Sequence, residues 1–275
     1  MKVVLFCGGL GTRIREYSEN VPKPMIPVGH QPILWHLMNY YSRHGHTDFV
    51  LCLGYKANVI KEFFLNYQPH AYADCVVSRH GAKVEVLSEP IRDWRVALID
   101  TGIWRNIGQR LWFVREHLKD EEIFLANYSD GLSDVDLTGM IETFKKSGKI
   151  ASFLAVRPPL TYHLADIDTD GRVKQFRSSD RSEIWINGGF FIFRREIFDF
   201  MRDGEELVLE PFSRLIAADQ LLAFKHTGFW RSMDTLRDRQ MLEDLVEQGN
   251  MPWDVRPESI DAERTDVLVA GHQPA

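Results

Sequence analysis

Glycines and an arginine follow the first apolar run of the chain, in an arrangement suited to phosphate binding. Glycines let a backbone approach a phosphate closely, and the N–H groups of successive turn residues form an anion-binding concavity. Arginine adds a forked cation that matches phosphate oxygens. The spacing is neither the dinucleotide fingerprint nor a P-loop, since G-x-G-x-x-G fails and no G-K-[ST] follows. Taken alone, the segment is as typical of a tight strand-to-helix turn as of a phosphate site. It consists of Gly8-Gly9-Leu10-Gly11-Thr12-Arg13.

A lysine ten residues after Arg13 is held between two prolines, in the stretch Pro22-Lys23-Pro24-Met25. Proline fixes its own φ and restricts the residue before it, which predicts a stiff, extended segment that directs the ammonium of Lys23 to one place. A solvated lysine on a rigid surface loop is the alternative. The two motifs together, at this separation, form a combination rarely met by chance.

The elements around these motifs alternate between short apolar runs and amphipathic ones. In the first half the pattern predicts strands over 3–7, 48–53 and 121–126 and helices over 32–44, 56–66 and 136–146. The second half predicts strands over 150–156, 164–168, 172–176, 184–193 and 221–226 and a helix over 235–248. This order indicates a Rossmann-like α/β fold, with a mixed, mostly parallel sheet flanked by helices and completed by a β-rich second half. Ligands of such sheets bind beyond the carboxyl ends of the strands, where the glycine motif falls.

Composition restricts the class of protein. The chain has 275 residues, of which 44% are hydrophobic and 26% charged, values typical of a globular enzyme. A net charge of −6 argues against a nucleic-acid partner. No apolar stretch approaches the roughly 20 residues that span a bilayer, so no membrane partner is expected. Three cysteines cannot pair completely, which favours a cytoplasmic setting. We expect a single domain over 1–253 and a C-terminal tail over 254–275.

Gly9 to Lys23 resembles the signature of the sugar nucleotidyltransferases. Further stretches are similar, within that family, to the glucose-1-phosphate cytidylyltransferases, and the resemblance runs from residue 1 to about 253. These stretches include Pro32-Ile33-Leu34-Trp35-His36, Gly54-Tyr55-Lys56, Asp100-Thr101-Gly102, Tyr128-Ser129-Asp130-Gly131, Ile186-Asn187-Gly188-Gly189-Phe190-Phe191 and Met233-Asp234-Thr235-Leu236.

The resemblance implies a reaction, a cofactor and an assembly. An oxygen of a sugar 1-phosphate would attack the α-phosphorus of a nucleoside triphosphate in line, and pyrophosphate would leave. Such displacements need positioning and charge neutralisation more than covalent help. Mg²⁺ is the implied cofactor and a homo-oligomer the implied assembly. CTP is favoured as the nucleotide by the resemblance, since no residue here shows a choice of base.

The same resemblance implies roles for individual residues. Asp130 and Asp234 would hold Mg²⁺, and Lys23 would contact the transferred phosphate, with Arg13 completing the catalytic set. The nucleotide would be bound by Gly8, Gly9, Leu10, Gly11, Thr12, Arg13, Thr101 and Gly102. The sugar phosphate would be bound by Tyr128, Asn187 and Gly188.

The two aspartates each have a structural alternative. Asp130 precedes a glycine, and an Asp-Gly pair is typical of a simple turn. Asp234 precedes the helix predicted over 235–248, where the common role of an aspartate is to cap the helix. Because both fall at family positions, we predict that both are metal ligands.

The chain departs from the family where the sugar phosphate is bound. The family has Glu-Lys-Pro shortly before the Asn-Gly-Gly, and its lysine grips the sugar phosphate, whereas this chain has Phe176-Arg177-Ser178-Ser179-Asp180-Arg181, without lysine or proline. A Phe-Gly-Ala-Leu stretch of the family is here Tyr162-His163-Leu164-Ala165. We therefore predict that glucose 1-phosphate is a poor acceptor and that Arg177 or Arg181 serves the real one. The alternative is that one of these arginines has taken over the role of the lysine and that glucose 1-phosphate remains the substrate.

Two rival functions stay open at this point. The same chemistry could act on a different phosphorylated acceptor, such as a modified sugar, a cyclitol phosphate or a phosphonate, or use another nucleoside triphosphate. A catalytically silent, nucleotide-sensing homologue is the rival from another class. The presence of Lys23, Asp130 and Asp234 argues against it, since a sensor need not keep both carboxylates.

Overall fold

A central eight-stranded sheet organises the protein. The computed structural model describes residues 1–9, 21–72, 74–87, 93–158, 163–178 and 184–254. The strands lie in the order β13-β10-β14-β8-β1-β4-β7, and β15 pairs with β10. Their bounds are β1 Val3–Phe6, β4 Asp48–Leu53, β7 Arg95–Asp100, β8 Ile123–Tyr128, β10 Ala151–Val156, β13 Ile186–Asn187, β14 Phe191–Arg194 and β15 Leu221–His226.

In the part of the chain that the structure describes, four two-stranded pairings accompany the central sheet: β2 with β3, β5 with β6, β11 with β12 and β9 with β16. Their bounds are β2 Pro27–Val28, β3 Gln31–Pro32, β5 Cys75–Ser78, β6 Lys83–Val86, β9 Gly131–Ser133, β11 His163–Ile167, β12 Val173–Ser178 and β16 Trp230–Ser232.

Strand direction places one edge of the sheet at the carboxyl ends of six strands. β1 runs parallel to β4 and β8, and β4 runs parallel to β7. β14 is antiparallel to both β8 and β10, so β10 points the same way as β8. β15 is parallel to β10. Loops after these six strands therefore meet at one edge, where ligands of such sheets bind.

Helices cover both faces of the sheet. Alternate residues of β1 face opposite sides, so Val3 and Leu5 belong to one buried cluster and Val4 and Phe6 to the other. The first cluster includes apolar residues of α1 and α4, and the second includes those of α3 and α5. The helices are α1 Ile33–Arg43, α2 Ala57–Leu65, α3 Ile107–Phe113, α4 Leu137–Ser147, α5 Glu210–Ala217 and α6 Leu236–Glu247.

The predicted fold class is confirmed: the sheet is mixed and mostly parallel, and strands of the second half complete it. The predicted helices over 32–44, 56–66, 136–146 and 235–248 are present to within two residues at each end. The single strand predicted over 184–193 is wrong, because the chain breaks between β13 and β14. Gly189 has φ +80° and Phe190 φ +47° there, left-handed values that end a strand. Strand β7 and helices α3 and α5 were not predicted from the sequence.

Residues at the predicted start of the tail are held against α1. Trp253 is buried, its Nε1 donates to Nδ1 of His36 at 3.3 Å, and Arg43 forms an ion pair with Asp254. The rest of the predicted tail, 255–275, lies outside the described residues. Among the helices that the structure describes, none has the length and apolar character needed to cross a membrane.

Candidate active site

A cavity of about 920 Å³ opens at the edge where the carboxyl ends of the parallel strands meet. Its walls bring together residues that follow β1, β8 and β13 and the segment before α6. Of the predicted site residues, those lining it are Gly8, Gly9, Lys23, Tyr128, Asp130, Asn187, Gly188 and Asp234.

Lys23 joins the two predicted metal ligands in the wall of the cavity. Its Nζ donates to Oδ1 of Asp234 at 2.8 Å and also donates to Oδ2 of Asp130. These residues are 107 and 211 positions away from Lys23 in sequence, so only the fold brings the three together. The lysine side chain is 12% exposed, which excludes the alternative of a solvated surface lysine.

The segment that holds Lys23 is a helical turn, not the extended stretch predicted. Pro22 is extended, with φ −65° and ψ 147°, but Lys23–Met25 form one turn of 3-10 helix. The turn is closed by hydrogen bonds from Met25 N to Pro22 O at 2.8 Å and from Ile26 N to Lys23 O at 3.1 Å. Pro24 tolerates this conformation because the fixed φ of proline suits the first helical turn. The prolines still make the segment stiff.

Asp234 does not play the structural role that was its alternative. Helix α6 is capped by Thr235, whose side chain accepts from Asp238 N while the Asp238 side chain accepts from Thr235 N. Asp234 is therefore not the cap, and its Oδ2 accepts instead from Oγ of Ser232 at 2.8 Å. The backbone between the two carboxylates is fixed by Met233 N, which donates to Asp130 O at 2.9 Å.

The negative charges of Asp130 and Asp234 keep the Lys23 side chain protonated in the cavity wall. Burial by itself would lower the pKa of the lysine, but the negative charges of Asp130 and Asp234 and the hydrogen bonds to them raise the pKa above its ordinary value. The site thus holds a fixed ammonium between two carboxylates.

The glycine end of the cavity rests on a buried arginine that sequence reasoning missed. The guanidinium of Arg110, on α3, donates to the carbonyl oxygens of Gly8 at 3.0 Å, Leu53 at 3.0 Å and Gly102 at 2.9 Å. It also donates to Ile103 O at 3.2 Å. One side chain thereby ties together the loops that follow β1, β4 and β7.

Thr101 and Gly102, predicted to bind the nucleotide, lie in this arginine network. The Thr101 hydroxyl is fully buried, donates to Leu53 O at 2.7 Å and accepts from Arg110 Nη1 at 2.6 Å. Gly102 has φ +87°, which favours glycine, and its carbonyl faces Arg110. The Thr101 side chain therefore contacts the cavity only through Arg110.

The opposite end of the cavity is built by Tyr128, Asn187, Gly188 and Trp230. Asn187 Nδ2 donates to the Tyr128 hydroxyl at 3.0 Å, and Trp230 Nε1 donates to Gly188 O at 2.8 Å. Burial raises the pKa of Tyr128 to about 12, so the phenol keeps its proton at neutral pH. A side chain at Gly188 would meet Trp230 Nε1 at 3.0 Å, which explains the glycine.

A buried amide fixes the left-handed turn behind this wall. Asn127 Oδ1 accepts from Phe190 N at 2.9 Å, and a Cβ on Gly189 would lie 2.2 Å from the same oxygen. The turn therefore requires glycine at 189 and presents Asn187 and Gly188 to the cavity.

Some predicted residues lie outside the described part of the chain. Leu10, Gly11, Thr12, Arg13 and Arg181 fall in gaps of the description. The backbone of Arg177 belongs to β12, and its side chain is not among those described.

Two further wall features had no signal in the sequence. Glu206 lines the cavity, and burial raises its pKa. Trp104 is 85% exposed at the rim of the glycine end. Both come from irregular segments, whose position no periodicity predicts. Among the described residues, no cluster of three or more His, Cys, Asp or Glu is arranged to hold a metal ion. The candidate metal ligands in the cavity are therefore the two carboxylates of Asp130 and Asp234.

Comparisons with known proteins agree on one family. The profile of the family described as nucleotidyl transferase matches residues 2–238. Glucose-1-phosphate cytidylyltransferase of Salmonella typhi is 42% identical over 255 residues, 92% of this chain and 98% of that enzyme. The enzyme of the same name from Salmonella typhimurium gives the same values. HddC from Yersinia pseudotuberculosis superposes with a TM-score of 0.61 at 20% identity, over 89% of this chain and 99% of that one, a likeness of fold.

Proposed function

Because the chain belongs to the nucleotidyl transferase family, we propose that it joins CTP to a sugar 1-phosphate and releases pyrophosphate. The resemblance inferred from Gly9 to Lys23 is confirmed at the level of the family. In the proposed step an oxygen of the sugar phosphate bonds to the α-phosphorus of the triphosphate. The bond to the bridging oxygen breaks, and its electron pair leaves with pyrophosphate. The choice of CTP rests on the names of the relatives.

One observation supports this function above the others: the ammonium of Lys23 lies between Asp130 and Asp234 in the cavity wall. A reaction that passes through a highly charged phosphorus centre needs a fixed cation and bound metal more than a nucleophile or base. The geometry supplies the cation already oriented.

The two carboxylates fit Mg²⁺ by their chemistry. Mg²⁺ prefers hard oxygen ligands and usually takes one or two protein carboxylates, with water and substrate phosphates completing its shell. Asp130 and Asp234 already converge on one positive group, the ammonium of Lys23. We propose that they hold Mg²⁺, which when bound would neutralise charge on the phosphates.

The chain's own groups divide the remaining tasks. Gly8 and Gly9 leave room for the triphosphate, and we place Leu10, Gly11, Thr12 and Arg13 with them. Arg110, Thr101 and Gly102 would act on the nucleotide indirectly, by holding the loops that meet it. At the other end, the Tyr128 hydroxyl accepts from Asn187, so its own proton is available to a sugar oxygen. Asn187 and Gly188 complete that wall, and we place Arg177 or Arg181 at the sugar phosphate.

A pyrophosphate-release screen tests the proposal. Four nucleoside triphosphates are combined with a panel of sugar 1-phosphates and other phosphorylated acceptors, with and without Mg²⁺. We expect Mg²⁺-dependent release that is fastest with CTP. Tight nucleotide binding without release in any combination would instead identify a silent homologue. We extend the proposal to a cytoplasmic homo-oligomer, and light scattering on the purified protein tests the oligomeric state.

A further inference from the structure

An exposed tryptophan lies at the glycine end of the cavity. The Trp104 side chain is 85% exposed, the highest value among the large apolar side chains that the structure describes. It belongs to neither of the buried clusters on the two faces of the sheet. Its neighbour Ile103 is 44% exposed, and both residues line the cavity. Aromatic and aliphatic side chains in a cavity wall are typical of a surface that contacts a ligand.

The loop that leads to Trp104 is held by hydrogen bonds at each of its residues. Thr101 N donates to the last carbonyl of β4 at 2.9 Å. The carbonyls of Gly102 and Ile103 accept from the guanidinium of Arg110 at 2.9 Å and 3.2 Å. Because that guanidinium is itself buried, the loop cannot shift without breaking several of these bonds.

The residues that follow Trp104 are held as well. Arg105 donates to the carbonyl of Thr101, and its guanidinium carbon lies 4.4 Å from the ring centroid of Phe113. Asn106 then begins α3 with a capping box. The Trp104 side chain forms no hydrogen bond or ring contact with the part of the chain that the structure describes. The loop therefore presents an indole ring in a fixed place and leaves the ring open to a ligand.

Trp104 lies beside the phosphate motif. Nη2 of Arg110 donates both to Gly8 O at 3.0 Å and to Ile103 O at 3.2 Å. One guanidinium nitrogen thus joins the residue before Trp104 to the first glycine of the motif. The wall that we propose for the sugar phosphate lies at the opposite end of the cavity. The substrate nearest to Trp104 is therefore the nucleotide.

The base is the flat, π-bonded part of a nucleotide. In an in-line displacement the attacking and leaving oxygens lie on opposite sides of the α-phosphorus, so the nucleoside extends to the side of that axis. An aromatic side chain stacks on any nucleobase, because every base has a π-face. We infer that Trp104 stacks on the base of the bound nucleotide and supplies affinity that is independent of which base it is. The inference rests on the proposed function and adds to it a contact for the nucleoside.

Calorimetry in the presence of Mg²⁺ tests the stacking with CTP, UTP, ATP, GTP and inorganic tripolyphosphate, which has no base. Trp104→Ala should weaken the affinity for each nucleotide that the unmodified protein binds by about tenfold or more, the value of one base stacked on an aromatic ring. The affinity for tripolyphosphate should stay the same, because its phosphates do not reach a π-face. Equal losses for nucleotides and tripolyphosphate would show that the loop has moved, and would overturn the stacking.

Further variants separate stacking from apolar contact in general. Trp104→Phe keeps a flat ring and should retain most of the nucleotide affinity, whereas Trp104→Leu keeps an apolar side chain without a ring and should resemble Trp104→Ala. Leu65→Ala is the matched control, since Leu65 at the end of α2 is 77% exposed, and it should leave every affinity unchanged. Nucleotide binding should also quench indole fluorescence in the unmodified protein, and that quenching should decrease in Trp104→Phe although the variant still binds.

Pyrophosphate release by the same samples separates this inference from the proposed function. If Trp104→Ala binds CTP normally and the unmodified protein releases pyrophosphate, the stacking is refuted and the function stands. If the nucleotide affinities depend on Trp104 but no acceptor is turned over, the stacking is supported and the function fails. A protein that binds no nucleotide would refute both. Light scattering checks the other surface that an exposed tryptophan can serve: a Trp104→Ala variant that dissociates but binds CTP normally would make the ring a subunit contact and overturn the inference.

Discussion

The guanidinium of Arg110 occupies the space that a side chain at Gly8 would need. A Cβ on Gly8 would lie 2.0 Å from Arg110 Nη1, and Arg110 Nη2 donates to Gly8 O at 3.0 Å. Gly54 is constrained in the same way, since its Cβ would lie 2.9 Å from Arg110 Nη1. The first glycine of the phosphate motif is thus required by the packing of the buried Arg110, in addition to any role in leaving room for a ligand.

Removing this guanidinium should destabilise the protein and loosen the nucleotide end together. In Arg110→Met, the carbonyls of Gly8, Leu53, Gly102 and Ile103 lose their hydrogen bonds from the guanidinium, although Leu53 O keeps those from Thr101 and Gly8 O keeps that from Tyr55 N. We expect the free energy of unfolding to fall by about 3 kcal/mol or more, and Tm by roughly 6–12 °C. CTP affinity should fall as well. Thermal unfolding and calorimetry measure the two effects.

A nearby, partly exposed arginine is the control for this variant. Arg115 lies over the Trp112 ring and donates to Trp112 O at 2.9 Å, so Arg115→Met should change stability by no more than about 0.5–1 kcal/mol. If Arg110→Met kept both the Tm and the CTP affinity of the unmodified protein, the loops would not depend on the guanidinium.

Loss of either candidate metal ligand should abolish most turnover without unfolding the protein. Asp130→Asn and Asp234→Asn keep the shape of each side chain but remove its charge. Losing a metal that stabilises transition-state charge corresponds to several kcal/mol, hence about a thousandfold in rate. Pyrophosphate release at saturating Mg²⁺ is the measurement, with circular dichroism to check the fold. A near-normal rate in one variant would remove that residue from the metal site.

Lys23 should matter more to catalysis than to nucleotide binding. Lys23→Met keeps the aliphatic stem and deletes the ammonium that bridges the two carboxylates. Because a fixed cation acts mainly on charge that develops in the transition state, we expect kcat to fall at least about a hundredfold. The Kd for CTP should change much less. Lys119→Met, at an exposed position, serves as the control. Unchanged turnover in Lys23→Met would contradict the catalytic role.

Local patterns predicted the elements that hold the site, but not the contacts that complete it. Lys23, Asp130 and Asp234 could be identified as candidates because each falls in a stretch that resembles the family, beside a recognisable strand, turn or helix start. Arg110 could not, since its role exists only where three loops distant in sequence meet. The break at Gly189 likewise depends on Asn127, 62 residues earlier, whose side chain is fixed by the fold. Hydrophobic periodicity is a property of one segment, whereas these contacts join residues that are distant in sequence and therefore cannot be predicted from it.

Stability should decrease as the pH falls below about 6.5, because a buried histidine is held neutral. His36 Nε2 donates to Val28 O at 2.8 Å, and its Nδ1 accepts from Trp253, which leaves no site for a second proton. Burial lowers its pKa, and the opposing effects of the hydrogen bond to Val28 O and of the charges of Asp254 and Glu243 are smaller. In the unfolded chain this histidine has a pKa of about 6.5 and takes up a proton below that pH, whereas in the folded chain it stays neutral. Each further pH unit below 6.5 therefore lowers the free energy of unfolding by up to about 1.4 kcal/mol.

Urea unfolding between pH 7.5 and 5 measures this dependence. His36→Gln retains a donor for Val28 O but does not titrate, so it should show a flatter slope below pH 6.5. A variant with the same slope as the unmodified protein would show that His36 is not responsible. Burial also lowers the pKa of His46, to about 4, so part of the slope should remain.

Glucose 1-phosphate should be a poor acceptor, because the two stretches that depart from the family lie side by side. In the β11–β12 hairpin, His163 pairs with Ser178 and Leu164 pairs with Arg177. The stretch that replaces the family's glycine and the stretch that lacks its lysine therefore occupy the same end of one hairpin. Deleting a charge-assisted bond to phosphate would weaken that substrate roughly ten- to a hundredfold. With CTP we expect kcat/KM for glucose 1-phosphate below about 10⁴ M⁻¹s⁻¹, the low end for competent enzymes.

A higher value would mean that Arg177 or Arg181 has simply taken over the role of the lysine. Arg177→Met and Arg181→Met would then each be assayed with glucose 1-phosphate, and the variant with the larger rise in KM would identify the substitute.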